Sequence, residues 1–378
     1  MPRQPQGHPV VVVACDKFKG SLTAREVDEA VAAGILAANP ETEVRIVPIA
    51  DGGDGTVAAL AGAGFSLVPV TVAGPTLEPV AAHYAVRGDL AVVELAETCG
   101  LLRLPGGRLA PLTASSRGLG EAVLAAIDGG ARTVVLGLGG SASNDGGSGM
   151  LRALGARLLD ASGAEVPEGG EALGSLAAID LSGLDPRLAS TEIVVACDVD
   201  NPLLGPRGAV ATFSAQKGAG PDDQERLEAA LAAYANTVAE ATGRDHAEIV
   251  EAPGAGAAGG VGFAALAVLG GRVERGVELL LGLVGFAEAL TGADLVVTGE
   301  GSFDHQTLSG KAPMGVLQAA REAGIPATVV CGRTTLSPTE AAEAGAAGVR
   351  ALLDLEPDPE RCMTNAAELL TQLGGELG

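Results

Sequence analysis

Five short apolar runs in this chain stop abruptly at an acidic residue. VVVVACD closes at Asp16, VPIAD at Asp51, VVLGLGGSASND at Asp145, IVVACD at Asp198 and VVTGE at Glu300. Continuous apolar runs of this length read as parallel strands buried on both faces. The spacing predicts strands over 10–15, 44–50, 91–95, 133–138, 192–197, 294–298 and 327–331. Helices are predicted over 24–38, where Thr23 and Glu26 form a capping box, over 222–241 at helical apolar spacing, and over 312–323 with Pro313 in the first turn. Glycine, 56 of 378 residues, clusters just after the apolar runs, where an α/β protein makes its ligand-binding turns.

Strand alternating with helix at both ends of the chain implies a doubly wound parallel sheet. Residues 71–95 read instead as strand, turn, strand, turn, strand, an antiparallel pattern. The expected organisation is an α/β protein of two domains. A discontinuous parallel-sheet domain is made of 1–70 and 286–378, and a second α/β domain with a mixed sheet is inserted at 71–285.

Composition excludes several partners. The formal charge of −23 is wrong for a phosphate backbone or an anionic membrane surface, so neither nucleic acid nor membrane is an expected partner. No apolar run approaches a membrane span or a signal h-region. Cys15, Cys99, Cys197, Cys331 and Cys362 are scattered and odd in number, which reads as reduced thiols in a cytoplasmic protein. An anionic ligand must then be held by local cations, backbone N–H groups and a metal, against the overall field.

Such local groups sit at the strand ends. In open α/β sheets ligands bind outside the carboxyl ends of strands, so five acids delivered there suggest a polar, metal-capable site, although each alone is also a good turn or N-cap residue. DKFKGSLTA (16–24) sets Lys17, Lys19 and Ser21 between a strand and a helix, an anion site with Lys19 the better placed beside Gly20. DGGDGT (51–56) offers Asp51 and Asp54 either to Mg²⁺ or to a tight turn. GLGGSASNDGGSGM (137–150) is the strongest phosphate cradle, with Gly139, Gly140, Ser141, Asn144, Asp145, Gly146 and Gly147 offering a nest of N–H groups. Its G-x-G-x-x-A spacing also fits a dinucleotide fingerprint, but the helix starts too late, and no Walker loop is present. CDVDNPLLGP (197–206) brings Asp198, Asp200 and Asn201, QKGAG (216–220) adds Gln216 and Lys217, and TASSRG offers Ser115, Ser116 and Arg117. TGEGSFDHQTLSGK (298–311) reads as a polar loop holding Glu300, Asp304, Gln306, Thr307 and Lys311.

Taken in order, DKFKGSLTA, ADGGDGT, GLGGSASNDGGSGM, CDVDNPLLGP, QKGAG and TGEGSFDHQTLSGK resemble the bacterial glycerate kinase family of the glycerate 2-kinase type, over roughly residues 9–375. The resemblance implies a Rossmann-like or flavodoxin-like domain interrupted by a second α/β domain. It also implies ATP-dependent phosphorylation of D-glycerate at the 2-hydroxyl; Mg²⁺ as cofactor and a monomer or homodimer are expected alongside it. Phosphorylation of the 3-hydroxyl or of another small hydroxy acid stays open, and an NAD-dependent hydroxy-acid dehydrogenase is the remote rival. Relatives often carry Ser at Lys17, Glu at Asp54 and a basic residue at Ser302; the last leaves open how the substrate carboxylate is gripped. Because phosphoryl transfer needs mainly positioning and charge neutralisation, Lys19 is expected to neutralise the transferred group and Asp51 to accept the hydroxyl proton. Asp198 and Glu300 are expected to hold the metal, directly or through water, with Asp198 counted among the catalytic residues beside Lys19 and Asp51, and Gly139–Gly147 to hold the nucleotide phosphates. Ser21, Gln306, Thr307 and Lys311 complete the substrate and phosphate set.

Overall fold

A computed structural model describes residues 8–50 and 52–378. In chain order its strands are β1 (Val10–Cys15), β2 (Glu43–Ile46), β3 (Ser66–Ala73), β4 (Pro79–Arg87), β5 (Leu90–Glu94), β6 (Thr133–Gly137), β7 (Arg157–Leu159), β8 (Ala178–Asp180), β9 (Glu192–Ala196), β10 (Arg272–Glu274), β11 (Leu295–Phe303), β12 (Ala327–Thr334) and β13 (Gly348–Ala351). The chain divides into two compact units. The described residues of one are 8–50, Ala58–Ala63 and Val277–Gly378; the other holds Gly52–Val57 and Gly64–Gly276.

The first unit is built on a five-stranded sheet in the order β13-β12-β11-β1-β2, every neighbouring pair parallel. Counting only this unit's strands, that is the 2-1-3-4-5 arrangement of flavodoxin-like folds, whose chain reverses direction between the first and third strands. Alternation along each strand supplies two cores. Val12, Ala14, Val296, Val329 and Cys331 face the helices Gly276–Leu283 and Ala312–Glu322, while Val11, Val13, Cys15, Val297 and Val330 face Ala24–Ala38 and Ala366–Gly375. Period-2 burial on both faces is what continuous valine runs dictate. The helix at Ala24–Ala38 starts at Thr23, which caps Glu26 and is capped by it in return, as expected from the text.

The second unit carries a six-stranded mixed sheet, β10-β9-β6-β5-β4-β3, parallel from β10 to β5 and antiparallel from β5 to β3, with a separate β7-β8 pair. Its core gathers Leu119, Val123, Val134, Leu136, Met150, Val195, Phe263 and the buried face of the helix Pro221–Thr242. Leu227, Leu231, Tyr234 and Val238 recur on that helix at the spacing of one apolar stripe. The α/β class with one parallel and one mixed sheet follows the expectation.

Three strand ends differ from the expected ones by three residues or more. β2 stops at Ile46, because Pro48 has no N–H to continue the ladder after Val47 donates to Val13. β11 and β12 run on to Phe303 and Thr334, so the start of the expected polar loop is strand. Glycines permit this close run: a Cβ on Gly332 would lie 2.5 Å from the Gly301 carbonyl oxygen. All five cysteines are buried and unpaired.

Candidate functional site

The reversal point of the first unit's sheet lies between β1 and β11, and a cleft of about 640 Å³ opens beyond the carboxyl ends of the strands there. Asp16, Lys17, Lys19 and Ser21 line it after β1; Glu300, Ser302, Asp304, Gln306 and Lys311 line it from β11 and its loop; Arg333 comes from β12. The Lys19 turn is fixed by the backbone. Phe18 and Leu22 exchange amide hydrogen bonds of 2.9 and 3.0 Å, which leaves the Lys19 side chain exposed at the tip. Ser21 is anchored elsewhere, its hydroxyl donating to the Met363 carbonyl at 2.7 Å.

The acids of the cleft are tightly engaged. The Thr307 hydroxyl donates to Glu300 Oε1 at 2.5 Å and Lys311 Nζ stands 3.1 Å from Glu300 Oε2. Burial lifts the Glu300 carboxyl above its ordinary range, against the pull of Thr307 and Lys311. Asp304 accepts from the Ser302 hydroxyl at 3.0 Å and the Gln306 amide at 2.9 Å. Desolvation raises its carboxyl, but these donors and Lys311 outweigh it, and the net displacement is downward. Among the described residues no group of three or more His, Cys, Asp or Glu is arranged to hold a metal ion. Mg²⁺ needs only one or two carboxylates when phosphates and water complete its shell. With both oxygens committed, Glu300 suits such an ion through water better than by direct ligation.

In the second unit the loop after β6 winds through Gly140, Gly146 and Gly147, all at positive φ. Most of its amides are spent inside the protein. Gly139 donates to Gly52, Ala142 to Cys99, Gly146 to Gly259, and Ser143 to the Ser141 hydroxyl. Asp145, fully buried, accepts from the Ser116 amide and hydroxyl at 2.8 Å and from the Gly147 and Gly149 amides at 3.1 Å; burial raises its carboxyl. The nest of unpaired N–H groups expected from the text is therefore mostly closed by internal carbonyls and Asp145, and Gly139 and Gly140 are the part of the loop left accessible. Asn144 is buried, its amide donating to Pro111 at 3.0 Å while Oδ1 has no hydrogen-bond partner among the described residues. Beneath the loop, Lys217 Nζ donates to the Ser143 carbonyl at 2.5 Å and reaches Ser141 Oγ at 3.5 Å; burial pushes this ammonium down to about 7. Glu94, at the end of β5, accepts from the Gly55 and Val57 amides at 2.9 and 2.8 Å, and burial pushes it up to about 7.

The Gly139 backbone lies so close to Gly53 that a Cβ there would strike the Gly53 Cα and sit 3.1 Å from its amide nitrogen. Both partners are main chain, so Gly139→Ala is expected to cost about 1–3 kcal/mol, as overpacking does. Urea unfolding followed by tyrosine fluorescence checks it, since both tyrosines, Tyr84 and Tyr234, belong to this unit.

The model of the glycerate kinase family matches residues 11–377. The chain belongs to the glycerate kinase family. It is 44% identical over 325 residues to a glycerate kinase of Bacillus subtilis, covering 85% of this chain and 84% of that one. It is 42% identical over 328 residues to a glycerate 2-kinase of Escherichia coli, covering 86% and 85%. A solved structure assigned as glycerate kinase 2 from Salmonella typhimurium LT2 superposes with a TM-score of 0.83 at 39% identity, over 98% of this chain and 97% of that one. Family membership makes the chain a kinase with a nucleotide and a small molecule as substrates. Among the described residues no helix is long and apolar enough to cross a membrane.

Within this glycerate kinase family member, Lys19, Ser21, Glu300, Gln306 and Lys311 share the first unit's cleft, with Thr307 buried against Glu300. Gly139 to Gly147 lie on one loop of the second unit. Asp198 follows β9, the strand beside β6, so it leaves the same sheet edge as that loop. Asp51 lies outside the described residues. Ser115, Ser116 and Arg117 open the helix Arg117–Asp128, the two serines fully buried, with Ser115 and Arg117 bound to Glu168 and Ser116 to Asp145. Sequence reasoning passed over Arg333 and Glu94, and named Lys217 without a role. An arginine two residues past a buried strand cysteine was the available signal for Arg333.

Proposed function

We propose that this enzyme transfers the γ-phosphoryl group of ATP to the 2-hydroxyl of D-glycerate. The observation that carries the reading is the cleft at the sheet reversal point of a glycerate kinase family member, where Lys17, Lys19, Lys311 and Arg333 meet three carboxylates. A small acid that becomes a phosphate ester needs such a cluster of cations in an otherwise acidic protein. Lys19 is assigned to the phosphoryl group in flight, because it is exposed at the tip of a fixed turn. Lys311, held against Glu300, orients that carboxyl and opposes the upward push of burial on it. Gln306, Thr307 and Ser21 complete the lining and its support, and Asp51 is assigned to accept the hydroxyl proton. In the second unit the accessible Gly139–Gly140 turn is assigned to nucleotide phosphates, with Ser141, Asn144, Asp145, Gly146 and Gly147 shaping the loop beneath it. Asp198 of the second unit and Glu300 of the first are each proposed as a carboxylate for Mg²⁺, which when bound would offset charge on phosphate oxygens. A cytoplasmic monomer or homodimer is part of the same proposal.

The product decides it. With D-glycerate and ATP, proton-coupled phosphorus NMR is expected to give a doublet, from one methine proton, as phosphorylation at the 2-hydroxyl requires. A triplet would move the transfer to the 3-hydroxyl. No ester together with oxidation of glycerate by NAD would replace the kinase reading with the dehydrogenase.

A further inference from the structure

We infer that Arg333 binds the carboxylate of the acid substrate and sets the enzyme's preference for a charged acid over a neutral polyol; this rests on the reading above. Four cations line the cleft, and they differ in what they are free to do. Lys311 is held by Glu300 at 3.1 Å and Lys17 lies 3.7 Å from Asp16. Lys19 is assigned to the phosphoryl group. Arg333 is the one arginine among the described lining residues. Its guanidinium makes a single hydrogen bond among them, Nε donating to Ser302 Oγ at 3.3 Å. The two terminal nitrogens therefore present a planar fork of donors without an acceptor among the described residues, the geometry that matches a carboxylate in bidentate fashion.

The fork is aimed by the sheet. Ser302 and Arg333 are paired in register on β11 and β12. The Ser302 hydroxyl in turn donates to Asp304 Oδ2, and Asp304 is fixed by the Gln306 amide. Asp304, Ser302 and Arg333 thus form a chain that orients the guanidinium while leaving its terminal edge open. The short path between the strands at Gly301 and Gly332 holds that register.

Steady-state kinetics with D-glycerate, ATP and glyceramide, the neutral amide of glycerate, test the assignment. In Arg333→Met the KM for D-glycerate is expected to rise roughly 10- to 100-fold, the worth of a charge-assisted contact. The KM for ATP should stay near its wild-type value, and the preference for glycerate over glyceramide should shrink by the same factor. Because Ser302 and Arg333 are register partners, the exchange S302R/R333S returns a guanidinium to the same part of the cleft. It is expected to recover at least tenfold of the lost affinity. A KM for D-glycerate within about threefold of wild type in Arg333→Met overturns the inference. So does failure of the exchange variant to recover affinity, which also decides the matter if Arg333→Met does not fold. Wild-type enzyme that does not turn over D-glycerate at all would instead remove the functional reading on which the inference rests.

Discussion

Lys19→Ala is expected to lower kcat with D-glycerate and ATP by roughly 10³-fold while leaving the thermal unfolding midpoint in place. The size of the effect comes from the reaction. In phosphoryl transfer the protein's main contribution is to neutralise charge on the oxygens of the group in flight, and deleting a preorganised cation there removes stabilisation that water does not restore. The separation from stability comes from the structure. Lys19 is exposed at the tip of the Phe18–Leu22 turn, and that turn is closed by backbone hydrogen bonds that alanine leaves intact. Lys19→Arg, which keeps the charge but moves it, should fall between the two. Near-normal turnover of Lys19→Ala would remove Lys19 from the mechanism and shift the phosphoryl role to Lys17 or Lys311.

The parts of the cleft legible in the sequence are those that follow directly from a strand end. Asp16 and Lys19 trail the valine run of β1, and Glu300 trails that of β11, so periodicity alone placed them at one edge of a parallel sheet. Arg333 was not legible in that way. Its position depends on β11 and β12 continuing in register past the point where apolar residues give way to glycine and serine, and that pairing joins residues 31 apart through two glycines. The loop after β6 shows the opposite difficulty. Its glycines and serines advertise unpaired amides, but whether an N–H is unpaired depends on distant carbonyls, here those of Gly52, Cys99 and Gly259. Lys217 is a third case: QKGAG reads as a polar turn, and nothing in five residues announces that the ammonium lies buried under another loop.

That burial leads to the second large effect, a contribution of Lys217 to the pH dependence of stability that Lys217→Met should remove. Burial holds the Lys217 ammonium at about 7, against an ordinary value of 10.5. Between those two values the unfolded chain binds the proton more readily than the folded one, so the native state gains stability as pH rises through the window and loses it as pH falls towards 7. The full displacement corresponds to roughly 5 kcal/mol. Methionine fills a similar volume and carries no charge. It leaves the Ser143 carbonyl without its donor, a penalty that does not vary with pH. The buried cysteines and tyrosines titrate in both proteins and cancel in the comparison, except Cys99, whose thiol feels the Lys217 charge but is pushed by burial to about 12, above the window. The difference in unfolding free energy between wild type and Lys217→Met is thus expected to shift by about 3 kcal/mol in favour of wild type between pH 7 and pH 9.5. Urea titrations followed by Tyr84 and Tyr234 fluorescence report on the unit that holds Lys217. Curves that stay parallel across the window would mean that Lys217 ionises as it does in water and that the loop it supports rests on a permanent charge.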